Sequence, residues 1–229
     1  MRRTEFMRGW RDELPILLGV LPFGVIYGAL AIKAGLPPLM AQLMSCIVFA
    51  GSAQIIQTRL VAAGAPGLIM IVTGFVVNLR HALYSASVAP HVRHLSRPWK
   101  WLLAYLLTDE AYAVVITRYT SSERVPSPDF RHWYYFGAGM ALWTTWQLST
   151  AAGVFLGAQI PESWGLDFAL PITFIAIVVP SLKDRAGMAA ALVGGLVALA
   201  AFGLPLKLGL IVAAIFGILA GMIVSARRR

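Results

Sequence analysis

The sequence predicts an all-α polytopic membrane protein of about eight transmembrane helices, seven being the alternative, with some helices broken near the bilayer midplane. Three observations carry this. Of 229 residues, 59% are hydrophobic and only 13% are charged, whereas a soluble domain needs roughly 25% charged residues to face water. Mean hydropathy is +0.74, so the medium around the chain is lipid. The basic residues gather at the ends of apolar runs: Arg2, Arg3, Arg8 and Arg11 before the first, Lys183 and Arg185 between two later ones, Arg227 to Arg229 at the end. That is the positive-inside pattern, and it accounts for the net charge of +9 without a nucleic-acid partner.

Taken in order, the expected spans are Leu14–Ile32, Leu39–Leu60, Leu68–Ala89, Trp99–Thr117, Trp133–Ala158, Phe168–Leu182, Ala186–Phe202 and Leu206–Ser225. Turn chemistry separates them at Gly35-Leu36-Pro37-Pro38, Gly64-Ala65-Pro66-Gly67 and Gly203-Leu204-Pro205. Residues 1–229 then form one transmembrane domain, and the basic termini place both ends in the cytoplasm. One loop disagrees with that orientation: Arg93, Arg97 and Lys100 fall outside, so a re-entrant second segment and seven spans is the alternative. Glycine pairs four apart, Gly24/Gly28, Gly153/Gly157 and Gly217/Gly221, predict close helix packing. The single Cys46 excludes an internal disulfide and a zinc cluster; no cofactor or metal is expected.

The polar residues lie deep. Ser52 and Gln54 fall near the middle of the second span, and Asn78, Arg80 and His81 in the third. Thr108, Asp109, Glu110 and Tyr112 do so in the fourth, Thr144, Thr145 and Gln147 in the fifth, Thr173 in the sixth. With the first span, which has no polar group there but is broken by Pro22-Phe23-Gly24, six helices thus share a polar centre, and the last two read as packing elements. A charge at mid-bilayer costs about 2.5–3.5 kcal/mol even on lenient insertion scales. Arg80 is therefore expected to pair with one acid. The other stays ionisable in a low-dielectric site, which is what a proton carrier requires.

Helical spacing sharpens the set. Asn78, His81 and Ser85 share a face beside Tyr84; Tyr105, Thr108, Asp109 and Tyr112 share another, while Glu110 points about 100° away from Asp109. Spacing leaves open which acid faces a cavity and which packs between helices. His81 lacks a second His or Cys near enough for a metal site and is a candidate titrating relay. Pro22, Gly51 and Pro171 are candidate midplane helix breaks, where freed backbone groups offer hydrogen bonds to a ligand.

Several stretches resemble the AzlC-like branched-chain amino acid permeases, bacterial exporters of the LIV-E type. They are Leu21-Pro22-Phe23-Gly24, Ser45 to Gln54 (SCIVFAGSAQ), Asn78-Leu79-Arg80-His81 with Tyr84-Ser85, Thr108-Asp109-Glu110, and Phe174 through Asp184-Arg185. The resemblance implies export of valine, leucine, isoleucine and similar amino acids; the depth of the charges, separately, predicts that exchange of a proton on the acid against substrate couples export to the proton gradient. It also implies a small AzlD-like membrane subunit, and it transfers no assigned site residues. A zwitterion with an apolar side chain needs an anion site, a cation site and an apolar pocket. Arg80 or broken-helix N–H groups suit the carboxylate and Asp109 or Glu110 the ammonium; Phe23, Phe49, Tyr84, Trp146 and Phe174 suit the side chain. A channel or porter for another small solute is the competing class. An intramembrane enzyme is disfavoured, because no nucleophile motif is present.

Overall fold

The structure is a computed structural model that describes residues 1–120, 130–157, 182, 184–204 and 208–226. Among these residues the regular structure is entirely helical, as the sequence predicts. The chain divides into two compact units, Met1–Trp164 and Gly165–Arg229. The expected sixth span, with Pro171, Thr173 and Phe174, lies outside the described residues.

In the first unit, α1 (Arg2–Lys33) is a single helix. Its 32 residues rise about 48 Å at 1.5 Å each, more than the ~30 Å of bilayer hydrocarbon. The basic first turns therefore extend past the apolar layer. Pro22 does not break this helix: α1 runs on through Pro15 and Pro22. Pro22 is exposed on the outer surface, where a missing N–H bends a helix without opening it. The expected break at Pro22 is thus corrected.

The two turns read from Gly and Pro are built alike. After α1, Gly35 takes φ +83°, its N–H bonds Ile32 O at 3.0 Å, and Leu36 N bonds Ala31 O at 3.0 Å. Gly64 takes φ +63°, with Gly64 N to Val61 O and Ala65 N to Leu60 O, both 2.9 Å. Each is a left-handed glycine cap closing the last carbonyls. Pro37 and Pro66 then cap the next helix, a position where no N–H is needed.

The three spans that follow α1 are each interrupted. The second is α2 (Pro38–Val48) and α3 (Gly51–Ala62), parted by Phe49 in the left-handed region (φ 36°, ψ 49°) and by extended Ala50. This break abuts Gly51, where the sequence placed it. The third is α4 (Gly67–Asn78) and α5 (Arg80–Val92), pinched at Leu79. There Leu79 N bonds Val76 O, and Ala82 N bonds Leu79 O, a 3₁₀-type tightening. The fourth is α6 (Arg97–Tyr105) and α7 (Asp109–Thr120), parted by Leu106-Leu107-Thr108. These last two interruptions carry neither Gly nor Pro and were not expected.

The fifth stretch, α8 (Arg131–Gly157), is unbroken and lies parallel to α1. A Cβ at Gly137 would lie 2.0 Å from Phe6 O, one at Gly28 2.4 Å from Thr150 O, and one at Gly153 2.1 Å from Val25 O. The predicted glycine faces Gly24/Gly28 and Gly153/Gly157 therefore meet each other, backbone against backbone. In the second unit, α9 (Arg185–Ala200) begins at Asp184, whose Oδ1 accepts from Gly187 N at 2.6 Å, an N-cap. It packs on α10 (Leu208–Ala226) through Ala190 and Gly194 against Gly217 and Gly221.

Burial is inverted relative to a soluble protein. Glu13, Ser45, Gln54, Thr58, Ser149 and Thr150 are buried, whereas Leu18, Ile71, Phe75, Leu83, Trp101 and Phe155 are exposed. Only an apolar surrounding makes that arrangement favourable. By length and composition, α1 and the run Gly67–Val92 suffice to cross a membrane.

Candidate functional site

The interruptions place polar residues at the starts of half-helices. Ser52 is the second residue of α3, Arg80 the first of α5, and Asp109 the first of α7. Thr108 caps α7: its Oγ1 accepts from Ala111 N at 3.3 Å and its carbonyl from Tyr112 N at 2.9 Å. Asp109 and Glu110 occupy the first turn of α7 and Arg118 its last, each sign on the end where the helix dipole favours it. A cation at the start of α5 is disfavoured by the same dipole, so Arg80 needs a carboxylate.

Arg80 finds one. Its Nη1 donates to Asp109 Oδ2 in an ion pair, and its Nη2 donates to Ser52 Oγ at 2.7 Å. One guanidinium thus ties the second, third and fourth spans together. Both side chains remain about one-third exposed, 30% for Arg80 and 35% for Asp109, so the pair is not sealed in a core. Among the described residues Arg80 Nε, Asp109 Oδ1 and Asn78 Oδ1, and farther along α3 Gln54 Nε2, are buried atoms with no hydrogen-bond partner. That is two donors and two acceptors of unused capacity.

His81 Nδ1 lies 3.2 Å from Asn78 O, a contact in which the ring donates when Nδ1 carries the proton. Its ring meets Tyr84 edge-on at 6.0 Å. Tyr84 stacks on Tyr112 at 4.6 Å and 17°, and Tyr112 OH donates to Ser87 Oγ at 3.0 Å. Asn78, His81, Tyr84 and Tyr112 thus join Arg80, Asp109 and Ser52 in one constellation. Tyr105 does not: the break after it separates it from the face of Asp109. It instead donates to Cys46 O and accepts from Trp143 Nε1.

A second cluster lies beside α1. Trp146 Nε1 donates to Gln54 Oε1 at 3.1 Å, and its ring lies 6.0 Å from Phe23 and 6.2 Å from Tyr27. Gly51 fits under both rings, for a Cβ there would lie 2.7 Å from Trp146 and 3.1 Å from Phe23. Phe23, Gly51, Gln54 and Trp146 are therefore together. Gly24 is a packing glycine against Ser149, and Phe49 packs on Tyr105 at 5.9 Å. Pro171 and Phe174 lie outside the described residues.

Three features escaped the sequence reading. Gln42 Nε2 donates to Gln147 Oε1 at 2.7 Å, Cys46 Sγ to the same atom at 3.0 Å, and Gln147 Nε2 to Ser45 O at 3.2 Å, a polar seam between α2 and α8. A cavity of about 330 Å³ opens between α5, α6 and α8, with Val88, Leu103 and Leu107 inside and Arg93 and Lys100 on its lining. Glu13 is fully buried. It lies eleven residues, three turns, before Gly24, so the glycine face itself was the signal that it points inward.

The same chain has recognisable relatives. It is 29% identical over 213 residues to Inner membrane protein YgaZ of Escherichia coli, covering 90% of this chain and 85% of that one. It is 30% identical over 221 residues to an uncharacterized membrane protein of Archaeoglobus fulgidus, covering 94% of each. It is 25% identical over 190 residues to Branched-chain amino acid transport protein AzlC of Bacillus subtilis, covering 80% of this chain and 72% of that one. No solved structure matches it. The AzlC protein family model matches residues 15–160, a stretch that holds both clusters and all three interrupted spans. With relatives named as membrane proteins and apolar side chains facing outward, this is a membrane protein, and it belongs to the AzlC family.

Proposed function

We propose that the chain is a secondary transporter that exports branched-chain amino acids, valine, leucine, isoleucine and related small apolar ones, with proton coupling. The observation that carries this reading is the Arg80–Asp109–Ser52 bridge at three helix interruptions, edged by unpartnered donors and acceptors. A free amino acid presents one carboxylate and one ammonium on adjacent atoms. Arg80 Nε is a donor for the first; Asp109 Oδ1 and Asn78 Oδ1 are acceptors for the second. An arriving zwitterion competes with the internal ion pair on both sides at once, which favours a ligand carrying both charges over either ion alone. The name of the Bacillus subtilis relative supports the substrate class.

In this reading residues 1–229 act as one transporter domain in a bacterial inner membrane, with both termini cytoplasmic. A small AzlD-like membrane subunit accompanies it. The roles given to Pro171 and Phe174 remain part of the proposal, as pocket residues from the sixth span. The test is amino acid accumulation in cells with and without this gene, alone and with the small subunit, across all twenty amino acids. Selective loss of intracellular branched-chain amino acids is the expected result. Unchanged valine, leucine and isoleucine with another solute depleted would move the assignment to a porter of that solute.

A further inference from the structure

We propose that Glu13 on α1 is a proton-binding carboxyl that exchanges its proton with Glu110 on α7, separate from the Arg80–Asp109 pair. Glu13 has no exposed surface, and neither of its carboxyl oxygens has a hydrogen-bond partner among the described residues. A buried carboxylate with no donor and no cation is a high-energy species, whereas the neutral acid is tolerated there. Something other than packing must account for a glutamate at a position that any apolar residue would fill. Its electrostatic neighbour is another acid, Glu110.

The groups around it define a route. α1 and α7 pack together, and a cleft of about 690 Å³ between α1, α7 and α8 is lined by Arg11, Asp12, Thr117, Arg118 and Tyr134. Asp12 accepts from Tyr134 OH at 2.7 Å, and Arg118 lies 5.9 Å over the Tyr134 ring. On α3, which packs on another part of α1, Arg59 is exposed. Arg118 and Asp12 thus engage Tyr134, and among the described residues Glu13 is coupled electrostatically to Glu110 and to Tyr134. Glu110 is adjacent in sequence to Asp109, and it is coupled electrostatically both to Glu13 and to Asp109. In each transfer the proton leaves one carboxyl oxygen and binds the other, leaving a carboxylate behind. The two acids hold one proton between them more readily than two charges or none.

The transport consequence rests on the proton-coupled reading above; the protonation itself does not. The test is infrared difference spectroscopy of the full-length protein in lipid at pH 7, in H₂O and D₂O. Wild-type protein is expected to show a protonated-carboxyl band that E13Q removes and E110Q shifts. An E13Q spectrum identical to wild type overturns the proposal. If E13Q does not yield folded protein, E13D replaces it: a moved band supports the proposal and an unmoved one overturns it. In proteoliposomes, the ratio of proton-gradient-driven valine flux to valine exchange should fall about tenfold or more in E13Q; an unchanged ratio, or driven flux that follows sodium instead, overturns it. Should wild-type protein carry no branched-chain amino acid, the proposed function fails while the infrared result still decides Glu13.

Discussion

Arg80 and Asp109 are each the first residue of a half-helix, and they form an ion pair across the gap between two interrupted spans. The pair thus joins the pinch at Leu79 to the interruption at Leu106-Leu107-Thr108. Its guanidinium uses a second arm for Ser52 at 2.7 Å, so three spans depend on one side chain.

D109N should lower branched-chain amino acid efflux at least about tenfold while membrane levels stay near normal. R80K should fall between wild type and R80A, because an ammonium holds one partner where the planar fork holds two. The stability cost of D109N is roughly 1–3 kcal/mol, between the exposed and buried limits for ion pairs. Efflux assays beside immunoblots of membrane fractions check both statements. Wild-type efflux in D109N would remove this pair from the pathway.

The α1–α8 contact predicts a sharp position dependence for added methyl groups. G28A and G153A place a Cβ 2.4 Å from Thr150 O and 2.1 Å from Val25 O, so the helices must separate, at about 1–3 kcal/mol each. G19A meets nothing within 4 Å on the same helix and should be neutral or slightly stabilising. Thermal unfolding in detergent ranks the three; a G28A midpoint equal to that of G19A would contradict the parallel packing.

Phe49 carries the positive φ of a helix cap, φ 36°, without being glycine. F49G relieves that conformation while losing the ring contact to Tyr105, and F49A loses the contact without relief. F49G should therefore be more stable than F49A by roughly 0.5–1 kcal/mol, despite being smaller. The same unfolding assay reads this. The reverse order would mean that the chain does not turn at Phe49.

Gly51 sets how closely Trp146 and Phe23 approach the second break. G51A puts a Cβ 2.7 Å from Trp146, so the indole must shift and its hydrogen bond to Gln54, now 3.1 Å, should weaken by about 1 kcal/mol. Transport of leucine should fall more than that of alanine. Competition efflux with the two substrates measures the ratio; an unchanged ratio would take this cluster out of the side-chain pocket.

The sequence by itself determined the medium and the helical class. Lipid as solvent follows from composition. The glycine caps at Gly35 and Gly64 follow from the left-handed backbone that glycine adopts freely. Glycines four apart marked the packing faces of α1 and α8, but only the fold showed that these two faces meet. That Arg80 pairs with an acid was also legible, because a charge in an apolar medium requires a partner. Tertiary structure alone decided where the helices stop. Leu79 and Leu106-Leu107-Thr108 contain no Gly or Pro, so local propensity does not encode their interruptions. Pro22, the residue that looked most like a break, faces outward and leaves α1 intact. Only the fold, by burying Glu13 beside Glu110, separates a glutamate at the edge of a basic N-terminus from the interfacial charges around it.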